Sequence, residues 1–128
     1  MRIFGTGARL ASWAARCPGH HTSAGWSTSG RTCKGPKWLG SFLHDAALAA
    51  TGTTTGYLAA QYARLRARLG HAKALVAGEH SILVATFHLL DRDQPYHQLG
   101  GDYFLCCHDP ARQARRLLRQ LEALGYTV

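Results

Sequence analysis

Between Arg16 and Leu39 the chain reads RCPGHHTSAGWSTSGRTCKGPKWL, and this stretch gathers most of the residue types that do chemistry. Cys17, His20, His21 and Cys33 are ligand types that zinc accepts. A structural zinc site usually has paired short spacings at both ends, whereas the second half here is the lone Cys33. Unliganded loop histidines and free thiols are the better reading, and no metal is assigned. Cys106-Cys107-His108 fares no better, because adjacent residues seldom converge on one tetrahedral ion.

The acids are Asp45, Glu79, Asp91, Asp93, Asp102, Asp109 and Glu122. Only Asp91-x-Asp93 forms a short pair, and it falls at a helix end, where a solvated cap is the simpler reading. A two-metal nuclease needs several carboxylates converging on one site, which this pattern does not supply. Glu79-His80-Ser81 looks like a catalytic set, yet consecutive residues on a helix point about 100° apart and cannot face one another. His80 and Ser81 are therefore expected to be packed or back-bonded within a helix.

Ser23 remains. It lies between His21 and Gly25, with Ser27, Thr28, Ser29, Gly30 and Arg31 downstream. A serine that attacks a phosphodiester needs a Gly-flanked position and cations to hold the phosphate in line. A Ser/Gly-rich surface loop has the same composition, and spacing alone leaves both readings open. Further cations follow at Lys34 and Lys37. Near the C-terminus Arg112, Arg115, Arg116 and Arg119 recur at i, i+3, i+4 and i+7, a guanidinium stripe on one helical face. Guanidinium forks match phosphate oxygens, although a stripe of this kind is as often a solvated face.

These residues must be positioned by helices. Thr6 is an N-cap for a short helix through Arg16, with Leu10, Trp13 and Ala14 on one face, stopped by Pro18-Gly19. From His20 to Gly35 no helical period survives, so this is a basic Ser/Gly-rich loop with room for a small hairpin. After Pro36, Trp38, Leu39, Phe42, Leu43, Ala46 and Ala47 follow the spacing of an apolar helical face. TGTTTG at 51–56 ends that helix. A third runs from about Tyr57 to Leu69, with Leu58, Tyr62, Leu65 and Leu69 inward, closed by Gly70. The most apolar helix spans His71 to about Asp91 and should form the centre of a bundle. A connector with Pro95 and Gly100-Gly101 leads to the last helix, Pro110 to Leu124. There Leu117, Leu118, Leu121 and Leu124 are expected inward, and Gly125 is the stop. The fold class is all-α, about five helices, with the basic loop between the first two.

The 128 residues allow one domain with a modest core. Fifteen Lys/Arg against seven Asp/Glu leave a formal charge of +8, a surplus that favours polyanionic partners. The start MRIFGTGARLASWAARC lacks the continuous apolar region of a signal peptide, so the four cysteines are read as reduced thiols in the cytoplasm. The longest apolar run, SILVATFHLL, is too short for the ~20 residues of a membrane span, and no membrane partner is expected.

Five separated blocks, LASWAARCPG…SAG…SGRT.KG.KWL, GYLAAQYARLRARLG, A.EHSILVATFHLL, PY..LGGDYF and RR.LRQLEALGY, together resemble transposases of the insertion sequence 110/116/902 family, over about Phe4 to Val128. Members of that family are similar in plan: an N-terminal RuvC-like domain with a DEDD acidic set, a linker, and a C-terminal domain carrying a serine nucleophile. The resemblance implies that residues 1–128 are the C-terminal domain alone, 1–50 its serine-loop part and 51–128 its helical part. The serine that precedes a small-Gly pair matches Ser23 in TSAG. Its implied role is attack on a DNA phosphodiester, with Arg31, Lys34, Lys37 and the Arg112–Arg119 stripe holding nucleic acid. Mg²⁺ would be held by the RuvC-like acids, so this chain alone carries no cofactor. Implied partners are DNA, a structured guide RNA, and a full-length transposase or a second copy as oligomer. Trp26, Ser27, Thr28 and Cys33 replace residues that are commonly basic, and Leu105 to His108 replace a commonly charged run. An enzyme unable to act alone is therefore expected. The alternative is a freestanding module that binds DNA or the element's RNA without catalysis.

Overall fold

The apolar run after Gly70 is the axis of the molecule. In the computed structural model, which describes residues 3–17, 21–29, 32–107 and 110–126, it forms α4 (His71–Arg92). The other elements are α1 (Gly7–Trp13), β1 (His21–Ser23), β2 (Trp26–Ser29), α2 (Lys37–Thr51), α3 (Tyr57–Leu69), α5 (Tyr103–Cys106) and α6 (Pro110–Ala123). The architecture is all-α, with one two-stranded antiparallel hairpin in the loop between the first two helices. Helices α1, α2 and α3 all pack on α4, which is central as its sequence implies. One extra element was not legible: a single turn, α5, sits inside the expected connector.

The core is small and built from close helix approach. Leu10, Ala11 and Ala14 of the α1 segment meet Leu43 of α2 and Leu83 and Phe87 of α4. Alanines make up half of the buried apolar side chains described, so the core is filled largely by small groups. Along α4, Leu75, Glu79, Leu83 and Phe87 follow one another at i, i+4 and are all buried. A carboxylate thus occupies a core position of the central helix.

Helix α1 ends earlier than expected, and its end is instructive. The Thr6 hydroxyl accepts from the Arg9 N–H at 3.3 Å, the predicted cap. At the other end Ala15 turns left-handed (φ 55°). The Arg16 N–H donates to the Ala11 carbonyl at 2.9 Å, and that of Ala15 to Ser12 at 3.0 Å. This is the paired bonding of a Schellman motif, and it turns Arg16 off the helix axis. Gly125 closes α6 in the same way, as expected, with Tyr126 bonded to Leu121 and Gly125 to Glu122.

Three expected apolar faces need correction. On α2 only Gly40, Leu43 and Ala47 are buried, while Trp38, Phe42 and Ala46 are exposed. The apolar arc of this helix is wider than the side covered by α3 and α4. On α3 no residue is fully buried and Leu69 is exposed. On α6 every described side chain is exposed, including Leu117, Leu118 and Leu121, and so is Leu124 just beyond it. An amphipathic period guarantees an apolar stripe but not a surface to bury it, and here none of the described elements covers it. The connector turn α5 is held instead by aromatic contacts: Tyr57 stacks on Phe104 at 5.1 Å, and the Arg64 guanidinium lies 4.8 Å over that ring. Tyr103 meets Tyr57 edge-on there, and its phenol is pushed above its ordinary pKa, chiefly by a hydrogen bond with Cys107.

Candidate nucleic-acid interface

Ser23 closes β1, and the hairpin that carries it is set by two residues of the turn. Ala24 (φ 50°) and Gly25 (φ 83°) both take positive φ, so the two-residue connection is a type I′ turn. Gly25 adopts this conformation at no steric cost, whereas Ala24 is held there against its preference. The register pairs Ser23 with Trp26, Thr22 with Ser27 and His21 with Ser29, which leaves Thr28 as an extra residue in β2. Bulges of this kind raise the local twist and re-aim side chains. Ser23, Ala24, Gly25 and Trp26 are all exposed. The serine therefore stands at the tip of a tight projection, beside a tryptophan that is 82% exposed.

The chain entering the loop is held by a polar cluster around the buried Glu79, which sequence reasoning missed. Arg16, turned off α1, places Nη1 2.9 Å from Glu79 Oε2, and Glu79 is 1% exposed. The other carboxylate oxygen of Glu79 lies 3.0 Å from His44 Nδ1 of α2. Gly40 is what admits the guanidinium, because a Cβ at that position would overlap Arg16 Nη2. Next along the helix, His80 Nδ1 lies 3.1 Å from the Arg16 carbonyl and 3.9 Å from Cys17 Sγ. Ser81 donates to the Ala77 carbonyl at 3.0 Å and accepts from Gln61 Nε2 at 3.0 Å. His80 and Ser81 are thus packed and back-bonded, and each member of the Glu79-His80-Ser81 run faces different partners. The signal in the sequence was an acid in register with Leu75, Leu83 and Phe87.

The predicted phosphate-binding residues are placed unevenly. Lys34 and Lys37 are exposed at the start of α2. Arg115, Arg116 and Arg119 are exposed on α6, where Arg115 Nε donates to the Ala111 carbonyl at 3.2 Å. Arg31 and the Arg112 side chain lie outside the described residues. Among the described residues no ion pair engages Lys34, Lys37, Arg116 or Arg119. Nor, among the described residues, does any ion pair or hydrogen bond join Ser23 to Lys34, Lys37, Arg115, Arg116 or Arg119. Among the described residues no three of His, Cys, Asp and Glu come together as a metal group, and no helix is long and apolar enough to cross a membrane.

Comparison with known proteins adds the identity of the chain. No curated protein and no solved structure matches it. A family model, Transposase IS116/IS110/IS902 family, matches residues 1–64, half of the chain, and this span contains α1, the Ser23 hairpin, α2 and the start of α3. By that match the chain belongs to the IS116/IS110/IS902 family of transposases, and its function lies in transposition.

Proposed function

We propose that residues 1–128 form the serine-bearing domain of such a transposase, which binds DNA and supplies Ser23 as the group that attacks a DNA phosphodiester. The observation that carries this reading is the place of Ser23, exposed at the tip of an I′ hairpin inside the span matched by the family model. In the attack the Ser23 oxygen bonds to phosphorus and a strand-end oxygen leaves as a hydroxyl, so a phosphoserine ester holds one DNA end. The exposed cations Lys34 and Lys37, and Arg31 by its position in the same loop, offset charge on the phosphate. The guanidinium stripe of α6 holds flanking backbone.

The domain does not complete this reaction alone. Among the described residues no three of His, Cys, Asp and Glu gather as an ion site that could activate the serine. A RuvC-like acidic domain acting with this one would hold Mg²⁺, which would supply the activation of the serine and of the leaving oxygen. A structured guide RNA and further transposase copies complete the assembly. The test is to combine the chain with a RuvC-like polypeptide of the family, its RNA and element-end DNA. A covalent protein–DNA adduct that survives denaturation supports the reading if Ser23→Ala removes it, and an adduct unaffected by Ser23→Ala refutes it.

A further inference from the structure

Helix α2 presents its two largest side chains to water. Trp38 is 82% exposed and Phe42 69%, and they are one helical turn apart, on the side opposite Gly40, Leu43 and Ala47. The described core is largely alanine and leucine, and among the described residues no ring or cation stacks on these two side chains. An apolar face alone could await anything, but this one has a definite electrostatic setting. Exposed Lys34 and Lys37 stand at its N-terminal edge. The helix start carries no side-chain cap and no acid in its first turn, so the N–H dipoles there add to the positive field. The nearest acid on the face is Asp45, about two turns from Trp38.

Rings beside ammonium groups match a ligand that alternates planar apolar faces with anionic groups, as single-stranded nucleic acid does. A closed duplex offers phosphates but hides its base faces, and the core of a protein interface is usually depleted of lysine. We infer that the N-terminal half of α2 is a stacking platform for unpaired bases, with Trp38 and Phe42 taking base faces and Lys34 and Lys37 the adjoining phosphates. This rests on the nucleic-acid reading above and deepens it, since it specifies a strand that is open where the domain holds it. Trp26, the exposed register partner of Ser23, has the same character on the hairpin.

The experiment measures affinity of the whole chain for a labelled 15-nucleotide oligothymidine and for a hairpin duplex, at two salt concentrations. Trp38→Ala and Phe42→Ala should each weaken the single strand by about five- to a hundred-fold while leaving the duplex within about twofold. Trp38→Phe should restore most of the loss, and oligothymidine should quench tryptophan emission. Circular dichroism checks that the fold is kept, which the exposure of both side chains favours. Single-strand affinity unmoved by both alanine variants overturns the platform and leaves the wider reading standing if the duplex still binds. A shift in sedimentation of the free protein caused by Trp38→Ala, with no change in single-strand affinity, overturns it in favour of a protein interface. Failure to bind any nucleic acid at low salt overturns both readings.

Discussion

Ser23 and Trp26 are register partners across the Ala24–Gly25 turn, so the position of the serine is tied to the geometry of two residues with positive φ. The strand pair is short, three residues against four. The turn must therefore supply much of the order at Ser23.

Changing the turn should consequently change the hairpin in either direction. Asn-Gly is the preferred pair for this turn type, so Ala24→Asn should increase amide-exchange protection of β1 and β2. Gly25→Val places a β-branched residue at φ 83° and should abolish that protection while leaving exchange in α4 unchanged.

Breaking the buried pair between Arg16 and Glu79 should be costly. Arg16→Met leaves a buried carboxylate without its cation and should destabilise the fold by about 3–5 kcal/mol, read from urea midpoints. The double change Arg16→Met with Glu79→Leu should recover most of this, because both desolvation penalties then vanish. Equal stability of Arg16→Met and the parent would contradict the ion pair.

Gly40→Ala tests the same contact from the other side. The added methyl meets the Arg16 guanidinium, which must move away from Glu79. A loss of about 1–3 kcal/mol is expected, although alanine is the better helix former and on an unobstructed helix would stabilise. In the Arg16→Met background the same substitution should cost much less.

Binding to duplex DNA should fall steeply with salt. Each phosphate contact removed lowers the slope of log affinity against log salt by about 0.9. Arg116→Ala and Arg119→Ala together should flatten the slope by nearly two such steps and weaken unrelated sequences equally. A slope unchanged by both substitutions would make α6 an ordinary solvated helix.

Much of the fold was legible because its signals are local. The helices begin and end near the residues that cap them, Thr6, Pro36, Gly70 and Gly125, and α4, which carries the longest apolar run, is central. What was not legible depends on which faces find partners. Trp38, Phe42 and the leucines of α6 satisfy a helical apolar period and yet stand in water, since period records a stripe and not its cover. The buried Glu79 cluster was missed for a related reason. Its partners Arg16 and His44 lie far away in sequence, and Arg16 reaches it only through the left-handed turn at Ala15. At the candidate site, Ser23 was found through its family motif and not through spacing, which a surface loop would share.

The most direct test of the account is the fate of the Ser23 oxygen. With a RuvC-like partner, RNA and element-end DNA present, wild-type chain should form a denaturation-resistant DNA adduct, and mass spectrometry of its proteolysed peptide should place the nucleotide on Ser23. Ser23→Ala should bind DNA as tightly as the parent and form no adduct. An adduct mapped to another residue, or one of equal yield from Ser23→Ala, would contradict the central claim.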